Sequence, residues 1–348
     1  MVWGGEKSQQ SIVQAYSIMI LKRRTILSSS VVLLAILSLF TSVVMWSELH
    51  RPIPIQKQQN IIQVHKNTSA KELLQDMHTK RWIRSVRFWT WYLKIHKLSA
   101  TLKAGIYQIQ PQESVQHLLQ RIASGDVLRE RFLILPGTTV TQISKNLNEA
   151  PYINYQASDW NTIMEQYDSA EGLLLADTYL YEAGSSAKQL FTQAHEQLQR
   201  ILMQIWNTRH SNLPYQRPYD LLIVASILEK EAAIPEERRL ISGVIINRLR
   251  QHMPLQMDPT VIYALGDQYQ GALTHEQMSI PSPYNTYLHQ GLPPTPIAMV
   301  SRDAIDAAGH PIMHSYLYFL AKGDGTHIFT TNYQEHCEAI KRYMRKPI

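Results

Sequence analysis

The sequence predicts an α+β chain in three parts: one N-terminal membrane-spanning helix, a small mixed module and a larger α+β domain. Three observations carry this. Ile26 to Trp46 contains no charge, proline or glycine; strand and helix signals alternate from Ile61 to about residue 128; and a longer series of helices and short apolar strands follows. At 348 residues with 45% apolar composition, the chain has material for more than one core. The expected boundaries are an arm at 1–24, a membrane helix at 25–46, a linker at 47–60, the small module at 61–128 and the larger domain at 129–348.

The first part rests on length and flanking charge. An uncharged stretch of about 20 residues is long enough to cross a hydrocarbon core as a helix. Lys22, Arg23 and Arg24 precede it and Glu48 follows, so the positive-inside rule puts the arm in the cytoplasm and the bulk of the chain outside. Trp46 fits an interfacial anchor. A cleaved signal peptide is the competing reading, but the stretch is too long for an h-region and Ser47-Glu48-Leu49 is a poor cleavage site. A buried soluble helix is the remaining alternative.

Pro52, Pro54 and a run of glutamines mark the linker. In the small module Ile61–Val64 reads as a strand, and Thr68-Ser69 starts a capped helix over Ala70–Met77. Ser85–Lys97 is a second helix, Gly105–Ile109 a second strand, and Ser114–Ile122 a helix stopped at Gly125. Trp82, Trp89, Trp91 and Tyr92 could stack on sugar rings, although core packing is the commoner use of such residues. In the larger part, Phe132–Leu135 is a strand ending at Pro136-Gly137, followed by helices over Thr138–Leu147 and about Ala187–Trp206. Pro214–Pro218 then sets off the most informative region.

Composition excludes several classes. The net charge of +6 comes from scattered basic residues with no aromatic-interleaved stripe, so no nucleic-acid partner is expected. The single cysteine, Cys337, supports neither a disulfide nor a thiolate metal site. His252, His275, His289, His310, His314 and His327 are dispersed, and His310 and His314 straddle Pro311, so no metal and no cofactor are expected.

Asp220–Ala232 reads as a helix. At about 100° per residue, Val224, Ile227 and Leu228 fall near the direction of Glu231, while Glu229 points the other way. Glu231 therefore lies on an apolar face near a helix C-terminus, and both desolvation and the helix dipole raise a carboxyl pKa there. A carboxyl group partly protonated near neutral pH suits a general acid for glycosidic bonds. The bland alternative is pairing with Arg238 or Arg239, or fraying into solvent. Pro235, Glu236 and Glu237 open the next helix, which Arg248 and Arg250 close. Leu255–Tyr263 alternates polar with apolar residues, and Pro283–Tyr287 and Gly291–Pro294 add amides, phenols and turns. That composition fits a sugar-binding groove better than a metal site.

These segments resemble the YceG-like endolytic murein transglycosylase family (MltG) over almost the whole chain. The likeness is densest in Ala225–Glu231, Ile246–Leu249, Leu255–Thr260, Tyr284–Tyr287, Gly291–Pro294 and Tyr316–Phe319. It implies a LysM-like small module and a catalytic domain on the periplasmic side of a bacterial inner membrane. Glu231 would be the catalytic residue, with Asn247, Gln256, Asp258, Thr260, Tyr284, Asn285 and Tyr287 binding substrate. The implied reaction cleaves the bond between N-acetylmuramic acid and N-acetylglucosamine in nascent peptidoglycan strands. It leaves 1,6-anhydro ends and so terminates elongation. Peptidoglycan synthases are partners implied by the family alone. Two departures stand out: Ala232 replaces a usual hydroxyl residue, and Glu171–Tyr179 differs from the family's aromatic- and proline-containing segment. The alternatives are a muramidase-type hydrolase, with Asp258 or Glu171 activating water, and a non-catalytic glycan-binding scaffold.

Overall fold

The structure is a computed structural model that describes residues 32–55, 60–231 and 234–343. The expected arm, the start of the membrane segment and Ala232 lie outside the described residues. The chain divides into two compact units between Leu128 and Arg129.

Helix α1 (Val32–His50) opens the first unit and is long and apolar enough to cross a membrane. Its leucines, valines and isoleucines from Val32 to Val44 are exposed, and Leu49 near its end packs on the core of the small unit. It runs four residues past the expected end at Trp46, because nothing from Ser47 to His50 breaks a helix; Trp46 and His50 stack with ring centroids 4.7 Å apart. Part of the expected linker is packed rather than free. Ile53 is buried and its N–H donates to Glu113 O at 2.8 Å.

Next come β1 (Ile61–Val64), α2 (Ala70–Thr79), α3 (Val86–Ile95), β2 (Gly105–Gln108) and α4 (Val115–Ser124). Ser69, Ser85 and Ser114 cap the three helices through their hydroxyls, and Gly125 takes the left-handed C-cap at φ 80°. The strands pair antiparallel, Ile62 opposite Tyr107, over a core of Leu74, Met77, Leu93, Leu118 and Ile122. Trp82, Trp89 and Tyr92 belong to that core and offer no face to a sugar, whereas Trp91 is 50% exposed. Buried Glu113 is held by Arg121 at 3.1 Å and His117 at 2.8 Å.

The second unit contains β3 (Arg129–Leu133), α5 (Val140–Glu149), β4 (Thr178–Glu182), α6 (Ala187–Thr208), α7 (Pro218–Glu231), α8 (Pro235–Arg250) and α9 (Asp258–Leu265). It ends with α10 (Arg302–Gly309), β5 (Tyr318–Ala321), β6 (His327–Thr330) and α11 (Tyr333–Tyr343). Strand β3 starts three residues before the expected Phe132, because pairing with β4 sets it, with Phe132 opposite Tyr179. The alternation seen over Leu255–Tyr263 does not make a strand. Pro259 in the first turn starts α9 there instead.

Helix α7 is the centre of this unit and packs against α6, α8, α9 and α10. Every residue from Leu221 to Leu228 is buried, so the helix has no solvent face before its last turn. Ser226 compensates its own burial by donating to Ile223 O at 2.7 Å and accepting from Ile297 N at 3.0 Å, which pins the loop before α10 onto α7.

Candidate active site

The last turn of α7 carries two carboxylates with opposite fates. Glu229 is buried and spoken for: Arg238 donates to Oε1 at 2.8 Å, and Ser301 donates its N–H at 2.8 Å and its hydroxyl at 2.5 Å to Oε2. Arg238 thus serves Glu229. Helical phase separates the two glutamates, but not as an apolar face from a wet one, since both sides of α7 are packed.

Glu231 ends the helix with no ion pair to any described residue. It is half-buried by surface, and protein atoms crowd its carboxyl. Burial, then the facing Asp258 charge, pushes its pKa up to about 8.

Asp258 is the first residue of α9, and a short turn delivers it. Arg248 is buried on α8 and clamps that turn, donating to Pro254 O at 3.1 Å, Leu255 O at 2.8 Å and Gln256 Oε1 at 3.1 Å, besides Leu317 O at 2.6 Å. Its guanidinium also lies 5.0 Å over the Tyr318 ring, and burial lowers its pKa. The turn is stapled to the 284–287 segment as well: Gln256 N–H donates to Thr286 O at 3.0 Å and Met257 N–H to Thr286 Oγ1 at 3.0 Å. The result brings Tyr287 against Asp258, with its phenol donating to Oδ1 at 2.5 Å. Burial and that anionic partner raise the Tyr287 pKa, and Glu231 adds to the effect.

The expected site residues therefore divide. Glu231, Asp258 and Tyr287 are coupled electrostatically, with exposed Gln256 beside Asp258 in sequence. Tyr284 is half-buried, bonded to Thr295 Oγ1 at 2.9 Å and packed on Tyr263. Thr260 and Asn285 are both 0% exposed and are staples, not groove surface. Thr260 shares a 2.9 Å hydroxyl contact with Thr286, and Asn285 donates to Met278 O at 3.0 Å and Ile280 O at 2.9 Å. Asn247 is half-buried and its amide nitrogen donates to His314 O at 2.7 Å and Tyr316 O at 3.0 Å, so it braces the 314–316 segment against α8.

Sequence reasoning passed over Arg248 as a helix-closing charge; its burial, and its acceptors on the 254–256 turn and at Leu317, appear only in the folded chain. Glu171 also differs from expectation. It is 4% exposed, accepts from Val140 N–H at 3.2 Å and Tyr263 Oη at 3.3 Å, and burial raises its pKa to about 7. So enclosed a carboxylate is not placed to activate a water for a sugar.

Fold and site together present one carboxyl at the end of a buried helix with its pKa raised into the range of proton transfer. The YceG-like family model matches residues 62–342. The chain belongs to the YceG-like family. It is 28% identical over 290 residues to an endolytic murein transglycosylase of Bacillus subtilis, covering 75% of this chain and 78% of that protein. The endolytic murein transglycosylase of Streptococcus pneumoniae serotype 2 is 28% identical over 293 residues, 73% of this chain but 53% of that longer protein. Among solved structures, a YceG-like protein from Listeria monocytogenes superposes with a TM-score of 0.51 at 25% identity, over 80% of this chain and 97% of that one.

Proposed function

We propose that this chain is an endolytic murein transglycosylase whose acid/base is Glu231. The observation that carries this reading is the Glu231 carboxyl at the buried end of α7, held at about 8 by burial and by the charge of Asp258. A carboxyl with that pKa keeps its proton at neutral pH and is ready to give it to a glycosidic oxygen.

Glu231 protonates the oxygen leaving C1 of the muramic acid residue, and the C1–O bond breaks. The carboxylate so formed joins Asp258 in facing the positive charge that develops at C1. Its raised basicity then suits the second task, taking the proton of the C6 hydroxyl as that oxygen bonds to C1. No water is consumed, and intramolecular attack has a large effective-concentration advantage. A retaining or inverting hydrolase needs a second working carboxylate; Glu171 is enclosed and Asp258 is bound to Tyr287. Gln256, Tyr284 and Tyr287 offer an amide and phenols to the strand.

The β1–α2–α3–β2 order of the small unit supports a LysM-like reading. α1 serves as a single-pass inner-membrane anchor, with the basic cluster Lys22–Arg24 on the cytoplasmic side and the catalytic unit in the periplasm.

The test is mass spectrometry of products from uncrosslinked glycan strands. Anhydro ends are expected from the wild-type chain, with Glu231→Gln at least about a thousandfold slower. Reducing ends, one water heavier, would overturn the lyase reading, and an unimpaired Glu231→Gln would remove Glu231 from the chemistry.

A further inference from the structure

Helix α3 is amphipathic twice over. Its inner face buries Trp89, Tyr92 and Leu93 in the core of the small unit. At about 100° per residue, the opposite face centres on Trp91. Phe88 and Ile95 flank Trp91 on one side, Arg87 and Lys94 on the other. Trp91 is 50% and Ile95 53% exposed, while Phe88 is half-buried with its ring 6.4 Å from that of Trp91. A soluble helix seldom exposes a tryptophan and an isoleucine on one outward stripe without a partner for them.

The sequence of α3 and its flanks is basic, although Lys80 pairs with Asp76 at 2.7 Å. From Lys80 to Lys97 the chain carries Lys80, Arg81, Arg84, Arg87, Lys94 and Lys97 and no acidic residue. The start of this segment also touches the end of α1. Arg84 N–H donates to Glu48 Oε1 at 3.4 Å, and its guanidinium lies 3.8 Å from Glu48 Oε2. Glu48 stands two residues beyond Trp46, where the apolar part of α1 stops and a bilayer surface would lie.

From these observations we infer that the outer face of α3 docks onto the bilayer surface, with Phe88, Trp91 and Ile95 dipping among anionic lipid headgroups and Arg87 and Lys94 pairing with them. Apolar side chains on one edge and cations on the other are what an interfacial helix presents to such a surface. The small unit is thereby held against the membrane next to its anchor. The inference rests on α1 being a membrane anchor, and the experiment separates the two.

The sole cysteine permits site-specific labelling of the full chain in a Cys337→Ser background. Polarity-sensitive fluorophores are placed at Ile95→Cys or Val44→Cys, and the protein is reconstituted into vesicles containing brominated lipid. In vesicles rich in phosphatidylglycerol both labels should be quenched, the Ile95 label at least about twofold. In pure phosphatidylcholine the Ile95 label should lose most of that quenching, as it should when Arg87→Glu and Lys94→Glu are added. Quenching at Val44 without quenching at Ile95 overturns the docking of α3 and leaves the anchor intact. No quenching at either site removes the anchor, and the inference with it. Quenching at Ile95 that ignores both lipid charge and the two reversals overturns the assignment to anionic headgroups.

Discussion

The Tyr287 phenol donates to Asp258 Oδ1 at 2.5 Å, and that pair sets the electrostatic surroundings of Glu231. Asp258, held in place by that donor, faces Glu231 and raises its pKa beyond the effect of burial alone.

Asp258→Asn should therefore lower the pKa of Glu231. Activity that requires protonated Glu231 falls on the alkaline side, near pH 8 in the wild-type chain. In Asp258→Asn that limb should move to lower pH. In Tyr287→Phe, where the Asp258 charge remains, it should stay close to its original position. Profiles of kcat/KM against pH for the three proteins check this. An unmoved limb in Asp258→Asn would separate Asp258 from Glu231.

Stability should carry the same signature. Folding raises the Glu231 pKa from 4.5 to about 8, so the folded chain keeps a proton that the unfolded chain releases. The resulting penalty is absent below about 4.5, grows as pH rises, and is complete above about 8. At about 1.36 kcal/mol per pH unit the window spans about 5 kcal/mol; water reaching the half-buried side chain reduces that to about 2 kcal/mol. Glu231→Gln has no such penalty. It should match the wild-type chain in denaturant midpoint near pH 4 and exceed it by about 2 kcal/mol at pH 9.

Gln256 has φ 50° without being glycine, and Arg248 holds its amide oxygen. Backbone strain of about 1 kcal/mol or more is stored at that position. Gln256→Gly should relieve it but lose the bond to Arg248, leaving stability within about 1 kcal/mol of wild type, while raising KM for glycan strands because the amide is gone. Arg248→Ala leaves several buried carbonyls without a donor and should cost about 3 kcal/mol. Thermal melts should thus separate the two variants by stability, and steady-state kinetics should separate Gln256→Gly by KM.

The legible parts of this chain were those fixed by local pattern. Ser69, Ser85 and Ser114 cap helices where hydroxyls precede apolar periodicity, and the apolar stretch before Trp46 runs into α1. Phase and resemblance singled out Glu231, but the reason for its raised pKa was only half visible. The sequence shows a helix end; it does not show Asp258 arriving from another helix. Thr260 and Asn285 misled because polar residues in loops look alike whether they face a ligand or staple backbone. Burial decides which, and burial is set by the long-range pairing of the 256–260 and 284–287 segments. The α9 helix was hidden for a related reason, since a short alternating run fits strand and helix equally until Pro259 is seen in a first turn.

Gly172 makes the last prediction. It follows Glu171 within the segment that departs from the family pattern, and its φ is 75°. A Cβ there would collide with Pro296 and stand 3.2 Å from Ala298 O. Neither neighbour can step aside easily, because Ile297 between them donates to Ser226 on α7 at 3.0 Å. Gly271 offers a control: its φ is 96°, but nothing lies within 4 Å of an added Cβ. Gly271→Ala should cost about 1 kcal/mol, the left-handed backbone penalty alone. Gly172→Ala adds a clash and should cost about 3 kcal/mol. The displaced 296–298 segment pulls on α7, so kcat should fall in Gly172→Ala more than KM changes, and remain near wild-type in Gly271→Ala. Equal losses of stability in the two variants would show that the contact with Pro296 is not what requires glycine at 172.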